Sequence, residues 1–472
     1  MLFRYAFDDF KLWVESKNPK CLVLRGARQV GKTTVVRSNP NLVDKQINIA
    51  VVNLEEHPEL SAVFASNDAD SILEELAFIT GSQFSAGDIV FLDEIQAATS
   101  ALQAMRYLRE HRPDLRFVAA GSLLDTEISE GRISVPVGRM EYQYMGPLSF
   151  EEFLMAHSDC SMELDLIRSW TPGMLFPQTA HKKLINLLRT FLVVGGMPEV
   201  VNDYIESGRT DGVSRIQASI INTYRDDFAK YNSKQKLLLL RKVFDWVPAR
   251  AGDKVIYSQI TRDARANKVS QAIDLLSSAR IIFPVRHSSG NGVPLGAETN
   301  SDVFKLFFLD VGLMAHMTGI SRITDKQILS SEFINKGRLA EQFIAQHLLF
   351  KRPSYERPEL HYWLREKKSS NAEVDFLIQH YGIVVPIEVK SGKTGRMKSL
   401  LRFIQEKNAS LAVRFDTNPP SVQAITHQLG NGAGISNRVQ FDLLSLPLYM
   451  VGEVERLLKH WNSLIDSAAG GY

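Results

Sequence analysis

The residues best placed to do chemistry lie in a short glycine-containing segment near the amino terminus. The segment has glycines at positions 26 and 31, and Lys32 and Thr33 directly follow the second glycine. The glycines allow the backbone to wrap a triphosphate with its N–H groups pointing inward. Lys32 would reach the β- and γ-phosphates, and the Thr33 hydroxyl would hold Mg²⁺. The segment therefore predicts a site for ATP or GTP, formed by Gly26, Ala27, Arg28, Gln29, Val30, Gly31, Lys32, Thr33 and Thr34.

The elements on either side of this segment are those that such a loop requires. Residues 22–24 are a short apolar run typical of a buried strand, and a helix can begin at Lys32. The amino terminus of that helix adds its dipole to the attraction for phosphate.

Two carboxylates follow the next strongly apolar run. Residues 89–92 are all apolar and predict a buried parallel strand, and Asp93 and Glu94 come directly after it. Ligands of open α/β sheets bind at this carboxyl edge. The pattern is of the Walker B type, in which Asp93 would hold Mg²⁺ and Glu94 would polarise the attacking water.

A third apolar strand, at residues 116–120, ends in Gly121 and Ser122. The Ser122 hydroxyl is a candidate contact for the γ-phosphate. It is equally suited to capping the following helix, and the residues leave both roles open.

A second group of chemically suited residues lies near the carboxyl terminus. A symmetric hairpin turn at 381–382 would place Asp375 directly opposite Glu388, where side chains are roughly 4.5–5.5 Å apart. Two carboxylates this close repel unless a cation lies between them. Lys390 shares the face of Glu388, and Glu341 shares the apolar face of a predicted helix and needs a partner there. The sequence thus predicts a second metal site.

The first group of motifs resembles those of bacterial and archaeal AAA+-superfamily ATPases that carry a C-terminal domain of unknown function. The similarity rests on GARQVGKT at 26–33, LDEIQ at 92–96 and AAGSLL at 119–124, with further matches at 137–139, 146–153, 195–201 and 309–313. The resemblance implies that the nucleotide is ATP, that residues 147–205 form a helical lid, and that Arg139 stabilises charge during hydrolysis. From the residues alone, Arg139 could equally be a plain surface side chain.

The carboxyl-terminal group resembles the PD-(D/E)XK nuclease fold, with Val374-Asp375 in place of Pro-Asp. The resemblance implies that Asp375 and Glu388 bind Mg²⁺ or Mn²⁺, that Glu341 assists, and that Lys390 activates water or stabilises the transition state. Basic residues that could hold a phosphate backbone follow at Lys393, Arg396, Lys398 and Arg402. The alternative is a non-catalytic fold whose carboxylates are bridged by Lys390 and Arg396.

The middle of the chain, residues 206–330, has the order helix, helix, strand, polar loop, strand, which predicts a winged helix. A nucleic-acid face could be formed by Arg262, Arg265, Lys268, Arg280 and Arg286. The alternative is a module that only packs between its neighbours.

Length and composition agree with several folded parts. At 472 residues the chain is too long for one core. We predict an α/β protein with an AAA+-like P-loop domain (1–146), a helical lid (147–205), a winged helix (206–330) and a restriction-endonuclease-like domain (331–472).

Charge and cysteine content exclude other classes. The net charge of +2 gives no overall attraction to nucleic acid, so DNA binding would need a local patch. Cys21 and Cys160 make neither a disulfide framework nor a zinc site. No signal peptide or membrane span is expected, and the predicted compartment is the cytoplasm.

These features together predict a Mg²⁺-dependent ATPase whose nucleotide state controls a DNA-acting, nuclease-like domain. The sequence is compatible with a homo-oligomer. The alternatives are a nucleotide-switched regulator that binds DNA or protein without cutting, and a non-catalytic scaffold.

Overall fold

The structure is a computed structural model. It describes residues 1–43, 47–121, 124, 138–210, 212–230, 233–320, 337–351, 353–365, 372–390, 397–429 and 437–469.

The first part of the chain is built on a five-stranded parallel sheet. Its strands are β1 (Cys21–Arg25), β2 (Ile49–Asn53), β3 (Ile89–Asp93), β4 (Arg116–Gly121) and β5 (Met140–Tyr144). Their spatial order is β2-β3-β4-β1-β5, with every neighbouring pair parallel. The apolar residues of β1, β3 and β4 are buried because helices cover both faces. All five strands therefore end at one edge of the sheet, where the predicted phosphate loop also lies.

Among the residues that the structure describes, helices with defined bounds accompany this sheet. They are α1 (Tyr5–Glu15), α2 (Lys32–Arg37), α3 (Pro40–Val43), α4 (Leu60–Ala65), α5 (Ala69–Thr80) and α6 (Thr99–His111). The parallel sheet and its helices confirm the predicted α/β class for this part.

Most of the region predicted as a lid, residues 147–205, is helical. Its helices are α7 (Phe150–Ala156), α8 (Ser161–Ser169), α9 (Gln178–Val194) and α10 (Pro198–Ser207). The start of α7 is fixed by a capping box, because Ser149 accepts from the backbone of Glu152 while the Glu152 carboxylate accepts from the backbone of Ser149.

Four helices and two strands follow. They are α11 (Val213–Asp227), α12 (Lys234–Arg250), α13 (Tyr257–Ile260), α14 (Ala266–Ser278), β6 (Ile282–Ser288) and β7 (Thr299–Phe308). The two strands are antiparallel.

The rest of the described chain also contains both helices and strands. It consists of α15 (Val311–Met317), α16 (Gly337–Leu349), β8 (His361–Arg365), β9 (Ala372–His380), β10 (Ile383–Val389), α17 (Lys398–Lys407), β11 (Leu411–Asp416), β12 (Ser421–Leu429), β13 (Asn437–Pro447) and α18 (Val454–Ala469). Within the described residues, no helix is long and apolar enough to cross a membrane.

A second, eight-stranded sheet joins the middle of the chain to its carboxyl-terminal part. Its order is β12-β13-β11-β10-β9-β8-β6-β7, and the join is a short parallel pairing of β6 with β8 at Arg286 and His361. The sheet thus continues across the boundary that we placed between residues 330 and 331. Sequence patterns could not reveal this pairing, because the two strands are far apart in the chain and pair over only two positions.

Two strands follow residue 416, whereas the apolar pattern of residues 416–472 predicts one strand and a helix. The reason is that β12 lies at the edge of the sheet and is largely exposed, so it carries polar residues through most of its length. Such a strand lacks the apolar alternation on which a sequence-based assignment depends.

Buried polar side chains connect α16 to the residues around β7. Gln342 accepts from Phe308 N at 2.8 Å and donates to Phe308 O at 2.7 Å, and Gln346 accepts from Val311 N at 2.8 Å. Asp310 in turn accepts from Gly196 N at 2.7 Å. The lid, the middle segment and the carboxyl-terminal part therefore share one hydrogen-bonded interior.

Candidate functional site

The phosphate loop follows β1 and leads into α2. Gly31 has a φ of +95°, a left-handed conformation that a side chain would strain, and it directly precedes the first residue of α2. Lys32 is buried, and its Nζ donates to the carbonyls of Gly26 at 2.9 Å and Ala27 at 2.8 Å. Burial lowers the pKa of Lys32 to about 8, against the opposing effect of Glu94 and Asp93. Lys32 is thus folded back over the loop that it would share with a triphosphate.

The two predicted Mg²⁺ ligands are in contact. Thr33 Oγ1, at the start of α2, donates to Asp93 Oδ2 at the end of β3, at 2.7 Å. The strand that leads to Thr33, β1, is separated from β3 in the sheet by β4. Burial raises the pKa of Asp93. A hydroxyl and a carboxylate so close offer the hard oxygen ligands that Mg²⁺ prefers. The structure therefore brings together Lys32, Thr33 and Asp93 as the sequence predicted.

Glu94 occupies an unusual backbone position. Its φ of +52° is left-handed, which turns the chain sharply after β3. Its carboxylate accepts a hydrogen bond from Gln96 Nε2 at 2.6 Å. Gln96 therefore sets the direction of the Glu94 carboxylate, a role that sequence reasoning missed because an amide two residues downstream carries no distinctive pattern.

The remaining loop residues are held from outside the first sheet. Tyr224 on α11 donates to Arg28 O at 2.8 Å, and Asp227 lies 2.8 Å from Arg28 Nε. On the other side, the buried Arg4 donates to Val30 O at 2.7 Å. The loop is thus clamped by both the amino-terminal segment and α11.

Arg4 also ties the loop to the lid. Its other nitrogens donate to Gly146 O at 2.8 Å and to Glu152 Oε1 at 3.2 Å. The sequence signal for this role is an arginine placed immediately before a helix rich in aromatic residues, where a charged group requires partners. Thr34, also predicted to contact nucleotide, lies exposed in the first turn of α2.

The structure does not bring Arg139 to the phosphate loop of its own chain. Arg139 immediately precedes β5, so it lies at the amino-terminal edge of the parallel sheet, opposite the loop. Its side chain is 58% exposed and pairs with Glu110 at 3.2 Å. The strand direction therefore keeps Arg139 away from the loop of its own chain, and its charge-stabilising role stays a prediction. Ser122 lies outside the described residues.

The predicted register of the carboxyl-terminal hairpin is confirmed. Strand β10 pairs antiparallel with β9 from Ile383 opposite His380 to Ile387 opposite Phe376, so the next positions along are Glu388 and Asp375. Asp375 accepts from Val389 N at 2.7 Å. Lys390 forms a close ion pair with Glu388.

The carboxyl-terminal carboxylates form one electrostatic group. Burial is the main cause that raises the pKa of Glu341, Asp375 and Glu388, and Asp375 further raises the pKa of the other two. Glu388 Oε2 is buried and has no hydrogen-bond partner among the described residues. An orphaned carboxylate oxygen in this group fits the donor set of a hard divalent cation.

Sequence reasoning missed Lys305, which lies among these carboxylates. It is 1% exposed, forms an ion pair with Glu373, and influences the pKa of Glu341, Asp375 and Glu388. Its sequence signal is a lysine inside the apolar run 303–309, because a charge in a buried strand requires a counter-charge.

The predicted basic faces are only partly assembled. Arg265 and Lys268 line an open groove of about 740 Å³ beside α12 and α14, together with Lys236 and Lys242. Arg280, by contrast, is buried with its guanidinium 5.0 Å from the Tyr144 ring centroid, which removes it from any nucleic-acid face.

The other basic residues of that expectation are accounted for as follows. Arg262 is exposed and Arg286 is half-buried. On α17, Lys398 is exposed and Arg402 pairs with Glu406 at 3.1 Å. Lys393 and Arg396 lie outside the described residues.

Residues 18–154 match the model of the AAA domain. The match covers the parallel sheet, the phosphate loop and the two carboxylates that follow β3. Two further models match, each described as a domain of unknown function: DUF8612 over residues 185–324 and DUF4143 over residues 336–424. A search among curated proteins found no match.

Several solved structures are similar at low identity. The Walker-type ATPase PABY2304 of Pyrococcus abyssi is 12% identical, over 67% of this chain and 96% of its own, with a TM-score of 0.41. The RuvB Holliday junction branch migration motor of Thermotoga maritima is 15% identical (60% and 89%, TM-score 0.28). The ORC2 protein of Aeropyrum pernix in its ADP form is 11% identical (70% and 92%, TM-score 0.27). At these scores the similarities carry no conclusion about activity or partners.

Replacing Lys32 by alanine should weaken ATP binding roughly 10- to 100-fold, the effect of losing charge-assisted contacts of about 1.5–3 kcal/mol. Equilibrium titration with a fluorescent ATP analogue measures this. Lys20→Ala, an exposed lysine at the opposite end of β1, is the matched control and should bind like the wild type. Unchanged affinity in a folded Lys32→Ala protein would exclude the assignment of the loop.

Proposed function

We propose that the protein is a Mg²⁺-dependent ATPase whose nucleotide state controls a DNA-acting, nuclease-like carboxyl-terminal segment. The observation that carries the ATPase part is the convergence of Lys32, Thr33 and Asp93 at the carboxyl edge of an AAA-type sheet, with Glu94 directly following. The carboxyl-terminal part of the proposal rests on the carboxylate group around Asp375.

In this proposal the chain's own groups divide the work of hydrolysis. Thr33 and Asp93 would hold Mg²⁺, which supplies positive charge to the phosphate oxygens. Lys32 would leave the carbonyls of Gly26 and Ala27 to meet the β- and γ-phosphates. Glu94, oriented by Gln96, would orient the attacking water and accept its proton.

Arg139 would act on a second copy of the chain. It is exposed at the edge of the sheet opposite its own loop, so it could reach only the ATP of a neighbouring subunit. A homo-oligomer would therefore complete the site, and Arg139 would supply charge to the transition state in trans.

Two sets of contacts support coupling of the nucleotide to the carboxyl-terminal segment. The first set consists of the contacts of Tyr224 and Asp227 with Arg28. If the loop changes shape around a phosphate, it must either move α11 or break these contacts. The second runs through the lid. His347 on α16 accepts from Phe150 N at 2.8 Å and, through its other ring nitrogen, donates to Phe343 O at 2.8 Å.

His347 is well suited to a fixed link. Burial lowers its pKa to about 4, so it stays neutral near pH 7, with one ring nitrogen donating and the other accepting. Glu341 lies on the same helix, so a displacement of the lid would be transmitted to the carboxylate group.

The carboxyl-terminal site would take Mg²⁺ or Mn²⁺ on Asp375 and Glu388, assisted by Glu341, with Lys390 beside the reacting phosphate. Support for a nucleic-acid substrate comes from the groove lined by Arg265 and Lys268 in the proposed winged helix, residues 206–330.

A second candidate function is a nucleotide-switched regulator that binds DNA or protein without cutting it. The observation that favours it is the presence of two lysines, Lys305 and Lys390, in ion pairs at the carboxylate group. They supply positive charge where a nuclease would hold its metal.

The ATPase part is tested by Glu94→Gln, which keeps the side-chain shape and removes the negative charge. ATP should still bind, and steady-state phosphate release should fall by roughly 10²-fold or more, as expected when a general base is lost. Glu74→Gln, an exposed glutamate on α5, is the control and should keep full turnover. Undiminished phosphate release by Glu94→Gln would rule out its proposed role.

The nuclease part is tested by incubating the full-length protein with DNA or RNA, Mg²⁺ or Mn²⁺, and ATP or ADP. Cleavage should require the metal, respond to the nucleotide and be abolished by Asp375→Asn. The exposed Asp302→Asn variant should cleave like the wild type. Metal binding without cleavage under any nucleotide would favour the regulator instead.

A further inference from the structure

Lys305 lies in an environment that rarely accommodates a lysine. It is 1% exposed, lies in the buried half of β7, and has the ring of Tyr362 5.0 Å from its Nζ. Its ion-pair partner is Glu373 on β9. Burying an unpaired ammonium group costs free energy, so the surrounding carboxylates must stabilise Lys305 in this position.

The acidic groups around Lys305 outnumber the lysines. Asp375 on β9 raises the pKa of Glu341 on α16 and of Glu388 on β10, and Glu373 on β9 raises the pKa of Glu341 and Asp375. Lys305 and Lys390 act in the opposite direction. Lys390 is already paired with Glu388. Lys305, buried and paired with Glu373, is therefore a cation that opposes the charge of Glu341 and Asp375.

The middle segment fixes where Lys305 lies. Strand β7 is paired with β6 along its length, and Gly252 N donates to Leu306 O at 3.2 Å next to Lys305. The same glycine approaches the carboxylate group closely, since a Cβ on it would lie 2.5 Å from Glu341 Oε2. The backbone that carries Lys305 is thus held against Glu341 by residues that precede the DUF4143 match.

We propose that Lys305 is an internal cation of the carboxyl-terminal carboxylate group and competes with a divalent metal ion for it. The middle segment, through the position of β7, then sets how tightly that site binds metal. This inference rests on the proposed function of the same site and adds its regulation. On this proposal the site is built from more than the β9–β10 hairpin, because its counter-charge, Lys305, comes from β7.

The test is Mn²⁺ binding by the full-length protein without nucleotide, in an Asp93→Asn parent that lacks the carboxylate ligand of the ATP site. Lys305→Met removes the charge and keeps most of the apolar stem. It should bind Mn²⁺ roughly tenfold or more tightly than the parent, because a like charge no longer opposes the metal. Isothermal titration gives the affinity. Thermal unfolding should show a lower Tm than the parent without metal and a larger rise in Tm when Mn²⁺ is added.

Two further variants keep the test decisive if Lys305→Met folds poorly. Lys305→Arg keeps the charge and should bind Mn²⁺ like the parent. Lys305→Gln also removes the positive charge but keeps a hydrogen-bonding group beside Glu373, so it should likewise bind Mn²⁺ more tightly than the parent. Lys17→Met changes an exposed lysine two residues after the end of α1; it is the control and should change nothing.

The outcomes separate this inference from the function on which it rests. If the parent and Lys305→Met bind Mn²⁺ with equal affinity, or Lys305→Met binds it less tightly, Lys305 does not compete and the inference is wrong while the metal site stands. If neither protein binds Mn²⁺, the metal site fails and the inference fails with it.

Discussion

The need to pair buried charge is the constraint on which the arrangement of this protein depends. Arg4, Asp310 and Lys305 are each buried, and each has partners in a different segment of the chain. A buried charge without a partner costs several kcal/mol, so these contacts fix how the segments meet. The segments that sequence patterns separate into domains are therefore joined by buried polar contacts. In each contact, a charged side chain from one segment finds its partner in another.

The same constraint shapes both candidate sites. At the phosphate loop, Lys32 is buried against two backbone carbonyls and lies near Asp93 and Glu94. At the carboxyl-terminal site, a lysine again lies among carboxylates. The two sites differ in how the lysine could be drawn away from its present partners. A triphosphate brings charge that would draw Lys32 away from the carbonyls, whereas Lys305 is held in a paired strand and would yield only if that strand moved.

The sequence was sufficient wherever a function depends on residues close together in the chain. Gly31, Lys32 and Thr33 identify the loop because a phosphate cradle needs those residue types at that spacing. The hairpin register placing Asp375 opposite Glu388 followed from a symmetric turn alone. The loop's contact with Asp93 followed from the rule that parallel strands end at one edge.

The failures involve contacts between distant segments. Arg139 was assigned from a local motif, and only the strand direction shows that it lies at the edge of its own sheet opposite the phosphate loop. The β6–β8 pairing and the burial of Arg280 against Tyr144 depend on how the segments dock. Lys305 carried a signal, a charge in an apolar strand, yet the sequence alone did not identify which carboxylates would receive it.

The central claim is that nucleotide at the loop changes the environment of the carboxyl-terminal site. Hydrogen exchange measured with ADP and with a non-hydrolysable ATP analogue tests it most directly. We expect the analogue to alter protection in α2, and also in α11 and α16, which carry Tyr224 and His347. The Lys32→Ala protein should show none of these changes. If the analogue alters protection only around the loop and residues 93–97, the two sites are independent and the account is wrong.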